Sequence, residues 1–480
     1  MKQNRVITSN LIWRLLERFG AQGVTLIVSI VLARVLDPSV YGTIALVTVI
    51  TTILQVFVDS GLGTALIQKK DVDSLDYSTV FYFNFIVCVV LYLFLFICAP
   101  YISVFYDRPE LSSVIRVLGL ILIISGFKNI QNAYVSRHLL FKLYFFATLG
   151  GTISAAIIGI WMAFHGWGVW ALVAQNLINQ GIDTILLWIL VKWRPTKEFS
   201  FVRLKTMFSF AWKLLLSSLL DTVWHQLRQL IIGKKYNTNE LAYYNKGNEY
   251  PQYAAIALNS SIDSVLLPVM SQAQDNPSTV KAMTRRAIKT GSFIMWPTMM
   301  GLAACSKPLV SLVLTDKWLP SVPYLMIFCI VYAFYPIHTA NLNAIKALGR
   351  SDLFLMLEII KKIASLVIIL ITMQFGPLYM ALGAIVGSIL SQIINSWPNR
   401  KLLNYKYFEQ ITDIIPYIFL SVLMAIAVYS IGFLKLSNYI TLAIQIPVGI
   451  VIYVGFSWIF KLDSFAYCFD IIKELIRRGK

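Results

Sequence analysis

Runs of about 20 or more mostly apolar residues follow one another along nearly the whole chain, broken only by short polar connections. A helix of that length crosses a hydrocarbon core of roughly 30 Å. No soluble core of 480 residues has room for so many such runs. Of these residues 58% are hydrophobic and 13% charged, against roughly 45–50% and about 25% in soluble domains. Within lipid each segment must satisfy its own backbone hydrogen bonds, so the runs read as helices. The chain is therefore read as an all-α integral membrane protein with about 14 transmembrane helices. They are placed near 9–36, 40–66, 77–104, 111–136, 141–164, 167–191, 207–232, 239–271, 280–304, 320–346, 353–374, 378–397, 413–434 and 438–460.

The net charge of +18 would suit nucleic acid, but its placement argues otherwise. With helix ends counted with their loops and the N-terminus inside, cytoplasmic segments hold 27 Lys and Arg and outer segments hold 7. Basic residues accumulate on the cytoplasmic side, so both termini are expected there and no nucleic-acid partner is expected. The first apolar run carries Arg14, Glu17 and Arg18 and lacks a small-residue cleavage site, so it reads as a retained helix. The five cysteines are scattered, without CxxC spacing, and read as small hydrophobes. Residues 461–480 have the pattern of a basic amphipathic helix at the inner surface, although a solvated tail would share that composition.

An internal repeat organises the chain. LARVLDPSVYGTIAL near residue 32 aligns without gaps with IGKKYNTNELAYYNK near residue 232. The same offset of 200 sets DSGLGTALI (59–67) on NSSIDSVLL (259–267). IWRLL (12–16) meets AWKLL (211–215), and GWGVWAL (166–172) meets GPLYMAL (376–382). The repeat unit is six helices, an even number, so two lobes run in parallel orientation, with the substrate site expected between them. The expected boundaries are an N-terminal lobe at 1–200, a C-terminal lobe at 201–403, and two additional helices with a tail at 404–480. The longest polar connection, 192–206, is the expected hinge.

An ionised residue at a helix centre costs roughly 2.5–3.5 kcal/mol on the insertion scale, so such residues are expected to face a polar interior. Their helical phase agrees. Lys213, Ser217, Asp221, His225 and Arg228 share one face, as do Asn245, Glu249, Gln252, Asn259 and Asp263. Arg14, Arg18, Gln22 and Thr25 form a stripe with Glu17 beside it, and Thr48, Thr52, Gln55 and Asp59 form another. These are the first and second helices of the two repeats, and facing stripes make a water-filled cavity. Arg14 is also placed to snorkel to the interface. Lys246 and Glu249 stand one turn apart, as an ion pair would. Lys128, Asn129 and Asn132, with Asn176, Asn179, Gln180 and Asp183, are expected to make helix–helix hydrogen bonds rather than bind a ligand. There is no metal-ligand cluster, no GxSxG elbow and no phosphate-binding glycine loop, and the outer loops are too short to carry a catalytic site. A transporter, not an enzyme, is expected.

LARVLDPSVYG (32–42), DSGLGTALIQKKD (59–71), TDKW (315–318) and GWGVWAL (166–172) carry a family resemblance. The chain resembles the Wzx-like polysaccharide exporters of the multidrug/oligosaccharidyl-lipid/polysaccharide flippase superfamily, nearest to exporters of the colanic and teichuronic acid kind. The resemblance implies two six-helix lobes, two further helices, and an undecaprenyl-pyrophosphate oligosaccharide as cargo in a bacterial cytoplasmic membrane. Such cargo needs cations for its pyrophosphate and hydrogen bonds for its sugars. Arg14, Arg18, Lys213, Arg228 and Lys246 are the expected substrate contacts. Glu17, Asp59, Asp221 and Glu249 are the acids that could couple transport to a proton or sodium gradient. No cofactor or metal is expected, and the protein is expected to act as a monomer among membrane lipids. The alternatives are a multidrug or small-solute antiporter on the same architecture and, from another class, a membrane polysaccharide polymerase or ligase.

Overall fold

A computed structural model describes the backbone of residues 2–59 and 61–478; the side chains of residues 1–12, 14–19, 60, 210, 260–265 and 351, and most of those beyond 470, lie outside the description. Every regular element among the described residues is helical. The first repeat contains α1 (Lys2–Val35), α2 (Pro38–Asp59), the short α3 (Leu62–Gln68), α4 (Ser74–Phe105), α5 (Glu110–Leu118), α6 (Leu120–His138), α7 (Phe141–Phe164) and α8 (Val169–Leu190). The second contains α9 (Phe201–Lys235), α10 (Thr238–Gln272), α11 (Pro277–Ala304), α12 (Ser306–Leu314), α13 (Val322–Ala333), α14 (Tyr335–Ala347), α15 (Ser351–Thr372), α16 (Pro377–Ser396) and the short α17 (Asn399–Leu402). Then come α18 (Tyr407–Ile431), α19 (Asn438–Ile459) and α20 (Asp463–Arg478). The repeat is visible in the breaks: α1 ends at Val35 and α9 at Lys235, while α2 opens at Pro38 and α10 at Thr238. The glycine-led motifs also agree, because the aligned residues Gly166 (φ 77°) and Gly376 (φ 134°) both take positive φ just ahead of α8 and α16. Backbone in that region costs glycine little and other residues more.

Each predicted helix falls on a helical stretch. Eight of these are long and apolar enough to cross a membrane, or nine if α11 and α12, bent by 66°, form one broken span. The other five predicted spans fall on α1, α8, α9, α10 and α15, helices that carry polar or ionic residues along their length. Four of the five carry the stripes or amide clusters noted above, and α15 holds a Glu358–Lys361 ion pair at 2.6 Å.

Small residues set the tightest packing. Ala147, Gly151, Ala155, Gly159 and Ala163 recur at four-residue spacing on α7 and are all buried. A Cβ on Gly151 would stand 2.7 Å from the Asn179 carbonyl of α8. Lipid offers apolar contact as good as a leucine's, so close backbone approach is what distinguishes such an interface. Conversely α4 leaves Ile86, Val90, Phe94 and Ile97 exposed along one face, which suits contact with acyl chains.

The described chain forms two compact units, residues 1–242 and 243–480. In the first, α9 packs on α2, α3 and α4, although the repeat makes it the opening helix of the second lobe. An ionic network closes one end of this unit. The Asp73 side chain caps α4, and its Oδ1 lies 2.5 Å from Arg203 of α9. Fully buried Asp76 meets Lys69 at 2.6 Å and Arg203 at 3.2 Å. Arg137 donates to the carbonyls of Leu66, Ile67, Lys69 and Lys70, satisfying acceptors left open where α3 ends. The expected hinge is bonded to α4 here: the Thr196 N–H donates to Ser78 and that of Ser200 to Thr79. In the second unit α11 runs along α18 and α18 along α19. Arg285 of α11 makes two hydrogen bonds, 2.7 and 2.6 Å, to buried Asp413 of α18, which also accepts from the Tyr405 hydroxyl at 2.7 Å.

Candidate functional site

A cavity of about 470 Å³ opens within the first unit, walled by α2, α6 and α8 with Leu118 of α5 and Thr222 of α9. The complete α2 stripe, Thr48, Thr52, Gln55 and Asp59, lines it. Those residues lie one turn apart, so a single helix face delivers them all. From α6 come Ser125, Lys128, Asn129 and Asn132, and from α8 Asn176 and Gln180. Lys128 is anchored across the helix pair, 2.6 Å from Asp183 and 2.9 Å from the Gln180 side-chain oxygen. The Asn129 amide donates at 2.7 Å to the Val58 carbonyl, one of the acceptors left open at the end of α2. Gln55 hydrogen-bonds Asp59, which is otherwise exposed in the cavity. Ser125 is 4% exposed, and its hydroxyl has no partner among the described residues. Lys128, Asn129 and Gln180 therefore do both things: they hydrogen-bond between helices, as expected, and they also line the cavity, which the sequence reading missed, whereas the Asn176 amide donates to the Leu172 carbonyl of its own helix at 2.8 Å. The spacing of the lining residues (125, 128/129 and 132 on α6, 176 and 180 on α8) was the available signal.

The other expected site residues are dispersed. The side chains of Arg14, Glu17 and Arg18 lie outside the described residues, as does that of Asp263. Lys213 is exposed on α9, Arg228 is half-buried, and Asp221 stands 3.5 Å from His225 with both side chains more than half exposed. Lys246 is buried, 2.7 Å from Glu249 and 6.0 Å from the centre of the Trp318 ring. Among the described lining residues of the cavity, Lys128 and Asp59 are the ionic ones, and the lining contains no aromatic ring.

The second unit holds a related cluster at repeat-equivalent positions. Asn259, offset by 200 from Asp59, donates at 2.6 Å to Thr339, offset by 210 from Asn129. His338, offset by 210 from Lys128, lies 3.3 Å from both Ser388 and Asn395 on α16. One repeat thus uses charged groups where the other uses neutral ones. No group of three or more His, Cys, Asp or Glu residues able to hold a metal occurs among the described residues.

A family model described as "Polysaccharide biosynthesis protein" matches residues 31–323, well over half of the chain. The chain belongs to that family. Its resemblance to the Wzx-like exporters, drawn from LARVLDPSVYG and the motifs that follow, is borne out. Among relatives of this polysaccharide biosynthesis family, the chain is 26% identical to the teichuronic acid biosynthesis protein TuaB of Bacillus subtilis over 63% of each chain. That match spans just under two thirds of the relative's length. The lipopolysaccharide biosynthesis protein WzxC of Escherichia coli is 23% identical over 78% of this chain and 76% of its own. Among solved structures, the lipid II flippase MurJ in an inward closed conformation superimposes with a TM-score of 0.76 at 15% identity, covering 94% of this chain and 99% of that one. An inward-facing multidrug resistance MATE transporter gives 0.64, also at 15% identity, over 82% and 98%. At such identity these likenesses speak to the fold alone, and they bear out the all-α repeat architecture.

Proposed function

We propose that the chain is a flippase that moves an undecaprenyl-pyrophosphate-linked oligosaccharide across the bacterial cytoplasmic membrane by alternating access, supplying cell-surface polysaccharide synthesis. The observation that carries this reading is the family match over residues 31–323. The relatives are named for teichuronic acid and lipopolysaccharide biosynthesis, and the protein of similar fold is named as a flippase of lipid II. On this reading the protein forms no covalent bond with its cargo and is not an enzyme. Both termini face the cytoplasm and the unit of function is a monomer. Arg14, Arg18, Lys213 and Arg228 are the proposed pyrophosphate contacts; Lys246 is already matched by Glu249. An arginine fork grips phosphate oxygens through paired hydrogen bonds that lysine cannot make. Arg18→Lys is therefore expected to retain part of the export and Arg18→Ala less, at unchanged protein abundance.

The repeat boundaries at about 200 and 403 remain our proposal for the moving lobes. The deciding experiment is deletion of the gene followed by mass spectrometry of lipid extracts. Accumulation of a complete lipid-linked oligosaccharide is expected; accumulation of incomplete precursors instead would point to a synthetic enzyme. A multidrug antiporter would share the architecture, but the described cavity lining, rich in amides and hydroxyls and without aromatic rings, suits a hydroxylated ligand better than a flat apolar cation.

A further inference from the structure

We infer that the cavity of the first unit is a subsite for an uncharged sugar of the cargo and that it excludes acidic sugars and the pyrophosphate; this rests on the flippase reading above. The argument comes from the chemistry of the wall. Thr48, Thr52, Gln55, Asn132, Asn176 and Gln180 present amides and hydroxyls, each able to donate and to accept. That mixture matches a ring of hydroxyl groups and matches an anion poorly. Lys128, the one cation of the described lining, is committed to Asp183 at 2.6 Å and Gln180 at 2.9 Å. Asp59 opens into the same space, and its carboxylate form accepts hydrogen bonds from sugar hydroxyls and repels a carboxylate or a phosphate.

A second observation points to a ligand. The Ser125 hydroxyl lines the cavity, is 4% exposed, and has no hydrogen-bond partner among the described residues; Asn132 Oδ1, two turns along the same helix, has none either. Buried polar groups are normally paired, and a bound hydroxyl would supply the missing bonds. The volume, about 470 Å³, falls in the range of roughly 300–1,000 Å³ typical of small-molecule sites and is too small for a whole lipid-linked oligosaccharide.

The test uses the full chain in detergent with saturation-transfer NMR. Methyl β-glucoside should give a signal with the wild-type protein, and glucuronate should give none. Ser125→Ala combined with Thr52→Val, both nearly isosteric, should weaken glucoside binding roughly tenfold. Asp59→Asn should admit glucuronate. Phosphorus line-broadening of inorganic pyrophosphate should be unaffected by all three changes. Equal signals from glucoside and glucuronate on the wild type, or an unchanged glucoside signal in the double variant, would overturn the subsite. In proteoliposomes, failure of the wild type to move any undecaprenyl-pyrophosphate sugar would remove the flippase reading while leaving glucoside binding standing. Movement with the same preference for neutral over acidic sugars in Asp59→Asn would remove the subsite and leave the flippase.

Discussion

Gly42, in the VYG that ends the first motif, is one residue whose identity follows from a single contact. A Cβ there would stand 1.9 Å from the Thr238 carbonyl oxygen, and a backbone atom cannot step aside as a side-chain tip can. Gly42→Ala is therefore expected to destabilise the protein by about 1–3 kcal/mol, read as a lower melting temperature in detergent. Asp73 is a second case. The Arg203 guanidinium, helped by the Asp76 backbone N–H, holds its carboxyl below the usual carboxylate range. Folding thus depresses this pKa, so the contribution is fully present above the unfolded value of about 3.9 and is lost as pH falls through the folded one. Arg203→Ala is expected to lower the melting temperature by a similar small step at pH 8 and pH 5, with the gap to wild type closing only below about pH 4. A gap that changed between pH 8 and 5 would mean that another group carries it.

At the scale of elements, the two repeats fasten the helix that follows each of them in the same place with opposite polarity. Arg203 of α9 reaches the acids at the start of α4, while Asp413 of α18 receives Arg285 of α11. The Asp413 side chain is 5% exposed and that of Arg285 is 51% exposed. Losing the acid strands the Tyr405 hydroxyl and removes a buried charge partner, whereas losing the arginine leaves Asp413 with Tyr405 and with Lys289 at 3.8 Å. Asp413→Ala should cost about 3 kcal/mol and Arg285→Ala clearly less, by thermal unfolding in micelles. Much of this level was legible beforehand: the helix positions, the four-residue spacing on α7 and the α2 stripe all follow from periodicity. The pairing of Arg285 with Asp413 was not, because residues so far apart in sequence carry no sign of their contact.

For the molecule as a whole, the topology proposed from the asymmetry of Lys and Arg puts residue 197 on the cytoplasmic side. A cysteine introduced there should resist membrane-impermeant maleimide in intact cells and react after permeabilisation. Energy coupling also belongs to this scale. Should Asp221 or Glu249 carry a proton or sodium ion, neutral replacement would abolish gradient-driven transport while leaving cargo binding within about twofold. Equal loss of both activities would make the acid structural. Glu249 is already engaged by Lys246, so Asp221, more than half exposed beside His225, is the sharper test.

The sequence by itself determined the membrane environment, the helical class, the repeat and the family, because each is written in composition, in period or in a contiguous motif. Hydrophobic length is local information, and so is helical phase. It also placed every residue of the α2 stripe on one face. Tertiary structure alone decided which stripes meet around one space. It brought the amides of α6 and α8, read from sequence as helix–helix bonds, onto the cavity wall opposite α2, and it tied up Lys128 with Asp183. It packed α9 with α2, α3 and α4, within the unit that ends at residue 242, although the repeat pairs α9 with α1. The physical reason is the same in each case. A helix face offers a stripe to any neighbour of complementary shape, and the neighbour is chosen by close packing of small residues and by ion pairs between segments far apart in the chain.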